Sequence, residues 1–261
     1  MQAELRITLV QTTIIWENIS ANLQHLSKLV EHVEAGTTDL IVLPEMFSTG
    51  FSMNTLLAET YDGLSVQWMK KEAAIHQCAI CGSLMIKENA DVYNRFFWVY
   101  PDGSIKTYDK RHLFSLSKEP ELFKAGNRRL LVEWKGWKIL PIICYDLRFP
   151  VWCRNVEHYD ILLAVANWPE RRISAWHKLL PARAIENQCY VVAVNRVGED
   201  GNGIMHCGGS SVYDPLGEKV YYAPDYKESV QTISLSSATL KEIRLKFPFL
   251  KDADNFHIEI K

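Results

Sequence analysis

Three short stretches without a polar face constrain this chain more than anything else in it. They are Leu40–Leu43, the segment Asp160–Ala166 and Tyr190–Asn195. An exposed strand alternates apolar and polar residues, whereas an uninterrupted run marks a strand covered on both sides. All are far shorter than the ~20 residues of a membrane-spanning helix, so the reading is of buried strands and of no membrane association. Helical spacing surrounds them. Leu23, Leu26, Leu29, Val30 and Val33 recur on one face behind a cap at Ser20, with Gly36 as the stop. Ser65–Gln77, Ile173–Asn187 and Ser237–Leu245 read as further helices.

The remaining segments predict strands at Leu5–Gln11, Ala79–Met85, Val92–Tyr100, Ile105–Tyr108, Leu130–Trp134, Trp137–Cys144, Ser210–Tyr213, Lys219–Tyr222 and Val230–Leu235. Pro101-Asp102-Gly103 closes a hairpin between two of them. Gly198–Gly203 reads as a flexible loop. No linker or low-complexity stretch divides the chain, so residues 1–261 are expected to form one α/β domain with a mixed sheet system.

Charge excludes some functions. Lys+Arg 29 against Asp+Glu 31 leaves a net charge of −2, too little basic excess for an electrostatic nucleic-acid binder. The first residues lack the pattern of a signal peptide. Six cysteines in such a chain fit a reducing, cytoplasmic setting. Cys78-x-x-Cys81 has redox or half-zinc spacing, but no second pair completes a metal site. Two thiols packed at a helix-to-strand junction are the better reading.

Three strand ends carry reactive groups, and ligands collect outside such ends in α/β sheets. Glu45 follows Leu43-Pro44, Lys110 lies in the charged segment after Ile105–Tyr108, and Cys144 closes the apolar run Leu140–Ile143. Each has a bland explanation when taken singly. Together they make a coherent acyl-transfer set. A carboxylate deprotonates the thiol, and an ammonium stabilises the oxyanion.

The segments LPEMFSTGF (43–51), YDKRHLF (108–114), CYDLRFPVW (144–152), ANWP (166–169) and ARAIENQ (182–188) resemble the nitrilase superfamily of carbon–nitrogen hydrolases over essentially the whole length. The resemblance implies an α-β-β-α sandwich that pairs into an eight-layer homodimer. Contacts are expected through the helix starting near Phe149-Pro150 and the aromatic tail Phe247–Phe256. It also implies a catalytic triad at Glu45, Lys110 and Cys144, with Glu119, seven residues before Gly126, as a fourth catalytic residue. The backbone N–H of Tyr145 becomes the second oxyanion donor. Tyr145-Asp146 after the cysteine, with NWP and ARAIEN downstream, is similar to the omega-amidase branch, whose substrates are small 2-oxo acid amides. Asp109 departs from the family pattern by placing an acid beside the lysine.

Phe114, Arg148 and Trp168 are candidates for the substrate pocket. Arg148 reads slightly better as a structural arginine paired with Asp146 or another acid, and Trp168 equally well as core. His112 and His177 are the histidines available for a cysteine–histidine dyad; His112 reads better as an organiser of the lysine loop. No cofactor and no metal is expected, because Lys110 fills the electrophilic role. An amidase for deaminated glutathione or for an N-carbamoyl amine is the rival activity. A catalytically idle, partner-binding protein is the rival class.

Overall fold

The computed structural model of the protein describes residues 1–259. The apolar runs are inner strands of two six-stranded sheets. The first is built from β1 (Glu4–Gln11), β2 (Leu40–Val42), β3 (Ala79–Glu88), β4 (Asp91–Val99) and β5 (Ile105–Asp109). The second takes β6 (Val132–Trp134), β7 (Trp137–Ile143), β8 (Ile161–Ala166) and β9 (Tyr190–Asn195). A separate hairpin comes next, β10 (Val197–Glu199) with β11 (Met205–Cys207). Then β12 (Ser211–Tyr213) and β13 (Lys219–Tyr222) complete the second sheet, and β14 (Ser229–Ser236) returns to edge the first. The orders are β14-β1-β2-β3-β4-β5 and β13-β12-β9-β8-β7-β6. Within them β1, β2 and β3 are parallel, as are β7, β8 and β9.

Alternation along each strand builds the layers. On β8, Ile161, Leu163 and Val165 meet Leu5, Ile7, Leu40 and Val42 in a core between the sheets. The intervening Leu162, Ala164 and Ala166 pack outward against Trp176, Leu180 and Ala184 of α5 (Ile173–Asn187). Opposite them, Ile41 and Leu43 pack against Leu26 and Val30 of α1 (Ile19–Val30) and Met69 and Ala73 of α2 (Leu64–His76). The result is helix, sheet, sheet, helix. Each aliphatic side chain so buried is worth about 1.5–3 kcal/mol, which makes the three layer contacts the main stabiliser.

Several local expectations are corrected. Asn18, not Ser20, caps α1, its side chain accepting from the Ala21 N–H at 3.1 Å. The helix stops at Val30 rather than running to Gly36, because a turn from Val33 N to Val30 O redirects the chain toward β2. Only the tip of Gly198–Gly203 is loop. Its first two residues belong to β10, whose three-residue length is too short to show alternation. The helix near Phe149-Pro150 is a single turn, α4 (Pro150–Cys153); Arg154 then adopts extended backbone. All six cysteines are free. Cys81 faces the inter-sheet core and Cys78 the outer layer, which matches the packing reading of that pair.

Candidate active site

Because β4 is antiparallel to both β3 and β5, β5 runs with the parallel strands. Glu45 and Lys110 therefore leave the first sheet at its carboxyl end, while Cys144 and Asn167 leave β7 and β8 of the second. The sandwich brings all four together. Glu119 joins them from α3 (Glu119–Leu122), a single turn after the lysine loop.

The charges interlock. Lys110 Nζ donates to Glu45 Oε1 at 2.9 Å and lies 3.0 Å from both carboxylate oxygens of Glu119. Three carboxylate oxygens thus surround the ammonium within hydrogen-bonding distance. Asn94 Nδ2 donates to Glu45 Oε1 at 2.8 Å, and the Asn167 backbone N–H to Glu45 Oε2 at 2.8 Å. The Phe114 N–H donates to Glu119 Oε2 at 2.6 Å. Glu45, Lys110 and Glu119 are all essentially excluded from solvent.

Burial works against the Lys110 charge, but Glu119 and Glu45 outweigh it and hold the ammonium above its ordinary pKa. For Glu119 burial dominates: despite Lys110, its pKa is raised, with Glu45 adding to the effect. Burial and then Glu45 push the Cys144 thiol well above its ordinary value, against the opposing pull of Lys110 and the Asn167 N–H. The resting thiol is thus neutral and needs a base to ionise it, and Glu45 lines the same cavity.

Cys144 sits where β7 turns sharply, with φ at +44°, a conformation L-residues rarely adopt. Asp146 holds that turn. It accepts from Ile143 N at 3.0 Å, Tyr108 Oη at 2.8 Å and both the backbone N–H and Nδ1 of His112 at 2.9 and 2.8 Å. His112 thus ties the lysine loop to the cysteine turn, as expected. The expected Asp146–Arg148 pair does not form, because these other donors occupy the carboxylate. His177 is not a cavity residue; its Nε2 lies 3.2 Å from Tyr222 Oη. Asp109 turns away from the lysine and meets Arg95 at 2.6 Å, so its charge is spent on the other face of β5.

Cys144 opens into a cavity also lined by Phe51, Phe114, Tyr145 and Trp168. Phe114 and Tyr145 meet edge-on at 5.2 Å. Trp168 fills both roles left open for it: it lines the cavity and packs against Trp176 at 5.3 Å. Arg148 lies over the Trp168 ring and Arg172 over Phe114, at 4.9 and 4.7 Å. With Arg171 they place three guanidinium groups along the cavity. The ion-paired arginines of the described residues are Arg6, Arg95, Arg129, Arg183 and Arg244, so none of these three is neutralised. Of the nearby acids, Glu170 accepts from Tyr226 Oη at 2.6 Å, and Asp200, which lines the cavity, accepts from the Asn202 and Ile204 backbone N–H groups at 2.8 and 3.0 Å. Burial, then Arg171 and Arg148, lower the pKa of Arg172, against the opposing pull of Cys144 and Tyr145.

Reading by residue type did not single out Asn94, Asn167, Arg171 or Arg172. Asn94 had a signal as a lone amide in an apolar strand, and the two arginines as an adjacent basic pair just past a strand end.

A family model described as carbon-nitrogen hydrolase matches residues 6–245. The chain is 46% identical to omega-amidase YafV of Escherichia coli K12, over 97% of this chain and 98% of that protein. It is 35% identical to a 2-oxoglutaramate amidase of Bacillus subtilis 168, over 94% and 96% respectively. The crystal structure of XC1258 from Xanthomonas campestris, a CN-hydrolase superfamily protein with an arsenic adduct in its active site, superposes with a TM-score of 0.96. That match has 46% identity over 98% of this chain and 99% of the other.

Proposed function

This chain belongs to the carbon-nitrogen hydrolase family and is an omega-amidase, and on that basis we propose that Cys144, Glu45 and Lys110 hydrolyse the terminal amide of small 2-oxo acid amides, 2-oxoglutaramate and 2-oxosuccinamate. The observation that carries this reading is one cavity lined both by the Cys144 thiol with the Glu45–Lys110 pair and by three arginines that form no ion pair. The thiol end acts on an amide, and the arginine end is built for a carboxylate.

In the reaction, Glu45 takes the Cys144 proton as sulfur attacks the amide carbon. The oxyanion forms against the Lys110 ammonium and the backbone N–H of Tyr145, the second residue of its turn, where no intrahelical acceptor is available. Collapse expels ammonia, its proton returned by Glu45, and leaves a thioester. Glu45 then deprotonates a water that attacks the thioester, and the dicarboxylate leaves as sulfur regains a proton. Glu119 fixes the lysine between two carboxylates throughout. Ammonia release from 2-oxoglutaramate tests the reading, with glutamine as control. Glutamine carries an ammonium where the arginines lie, so turnover at least about tenfold slower is expected, the effect of one like-charge contact worth about 1.4 kcal/mol. Equal turnover of the two would defeat the assignment.

Gly126 explains why the lysine loop has the shape it does. Its N–H donates to Lys110 O at 2.9 Å, and a Cβ there would sit 2.1 Å from Asp109 O. Gly126→Ala is therefore expected to push the end of β5 and the lysine aside. A misplacement of about 1 Å costs roughly a hundredfold in kcat/KM. Steady-state kinetics beside a melting curve separate this from unfolding.

The six free thiols support a reducing, cytoplasmic setting. No helix among the described residues is long and apolar enough to cross a membrane. A homodimer is supported by exposed Val151, Val156, Ile185 and Phe249. Their segments are tied together through Arg154 to Glu186 O and through Gln188 Nε2 to Phe247 O. Sedimentation is expected to give twice 30.0 kDa at micromolar concentration.

A further inference from the structure

The hairpin β10–β11 stands outside both sheets, yet it supplies Asp200, Asn202, Ile204 and His206 to the cavity wall. Its second strand packs against the turn that carries Arg171 and Arg172. The position of this hairpin therefore sets the width of the arginine end of the cavity. Alternation aims His206 inward, while its neighbour Met205 is exposed.

What holds the hairpin in place is unusual. Arg196, between β9 and β10, is 1% exposed and has no carboxylate partner. Its fork donates only to backbone carbonyls. Nε reaches Val197 O at 3.2 Å, while Nη2 reaches Glu199 O at 3.1 Å and Ile14 O at 3.3 Å. Nη1 has no partner at all. A buried guanidinium without a paired carboxylate is costly, and burial, against the pull of Asp200, draws its pKa down to about 10. An apolar side chain would fill the space more cheaply but would leave three carbonyls from two segments unbound. At the far end, Gly201 lies flat on Trp16, where a Cβ would come within 2.4 Å of the indole ring. The hairpin is thus clamped at its base and seated at its tip on the loop before α1.

We propose that Arg196 is a positioning residue for substrate: by clamping the β10–β11 hairpin to the loop at Ile14, it holds the cavity wall that confines the acidic end of the substrate against Arg171 and Arg172. Arg196 does not line the cavity, and it acts through the hairpin. The substrate class rests on the amidase reading above, but the clamp is testable without turnover.

The probe is alkylation of Cys144 by iodoacetamide, followed by mass spectrometry, with 2-oxoglutarate as protecting dicarboxylate. In Arg196→Met the unprotected rate is expected to stay within twofold, since the triad is untouched. The 2-oxoglutarate concentration for half-protection is expected to rise tenfold or more. With 2-oxoglutaramate as substrate, KM rises to match while kcat stays within threefold. Arg196→Lys keeps the charge but not the fork, and is expected to behave like Arg196→Met. Unchanged half-protection in a folded Arg196→Met variant overturns the proposal, as does full rescue by lysine or a wild type that 2-oxoglutarate does not protect. If Arg196→Met does not fold, Gly201→Val unseats the tip from Trp16 at an exposed site and should give the same split; unchanged half-protection there overturns the clamp equally. If the wild type protects but releases no ammonia, the amidase reading fails while the clamp stands.

Discussion

Cys144→Ala is expected to abolish ammonia release, by on the order of a millionfold, the scale on which an activated nucleophile contributes. Binding should survive, because the groups proposed to meet the acidic end of the substrate are Arg148 and the Arg171-Arg172 turn, which the substitution leaves in place. The measurement pairs single-turnover kinetics with calorimetric titration of the intact amide into the variant. Cys144→Ser is expected to be nearly as inactive. The Glu45 carboxylate that suffices for a thiol is a poor match for a hydroxyl, which is far harder to deprotonate. A thioester mapped to any other cysteine, or substantial activity in Cys144→Ala, contradicts the assignment. The other five thiols are buried in apolar layers, and burial pushes those of Cys78, Cys153 and Cys189 up to about 12.

Lys110→Met is expected to damage both stability and chemistry. The ammonium is the cation hydrogen-bonded to both Glu45 and Glu119, and removing one partner of such a buried set costs about 3–5 kcal/mol. For a protein of this size that corresponds to a melting temperature lower by roughly 6–20 °C. The loss should depend on pH with a definite sign. Glu119 already has a raised pKa from burial and, secondarily, Glu45; without Lys110 its pKa rises further. Between 4.5 and that higher folded value, the folded variant binds a proton that the unfolded chain does not. Stability therefore falls as pH rises through this window, and recovers on acidification. Melting curves from about pH 8 down to about pH 5 check it: the deficit relative to the parent should shrink toward the acid end. Activity is expected to fall at least about a thousandfold, since the oxyanion loses its charged donor.

The arrangement separates two tasks that compete in any thiol amidase. The nucleophile must be quiet at rest, and it must ionise when substrate arrives. Burial keeps the Cys144 thiol neutral, and the proposed base, Glu45, is held by Lys110, Asn94 and Asn167. The cavity wall comes largely from loops beyond β8 and β9, residues 169–172 and 200–206, while Glu45, Lys110 and Cys144 follow β2, β5 and β7.

Much of this is legible in the order of residues alone. Uniform apolar runs are dictated by two-sided burial, so Leu40–Leu43, Asp160–Ala166 and Tyr190–Asn195 announce inner strands, and Ile173–Asn187 and Tyr190–Asn195 match in full. The strand-end positions of Glu45, Lys110 and Cys144 are equally visible, because a residue that succeeds a strand in the chain must emerge at the end of that strand. Short elements are less so. The three-residue strands β10 and β11 and the one-turn α4 carry too few residues to show a period, and their boundaries come from partners distant in sequence.

The layers and the identity of the reactive groups are therefore properties of the sequence, since burial pattern and residue type belong to consecutive positions. Which charges meet is a property of the folded chain. Asp146 pairs with His112 and Tyr108 rather than Arg148. Asp109 is taken by Arg95, and Glu170 by Tyr226, which leaves the cavity arginines free. Such pairings depend on which strand ends the sandwich brings within hydrogen-bonding distance. No spacing along one chain encodes a distance measured across two sheets.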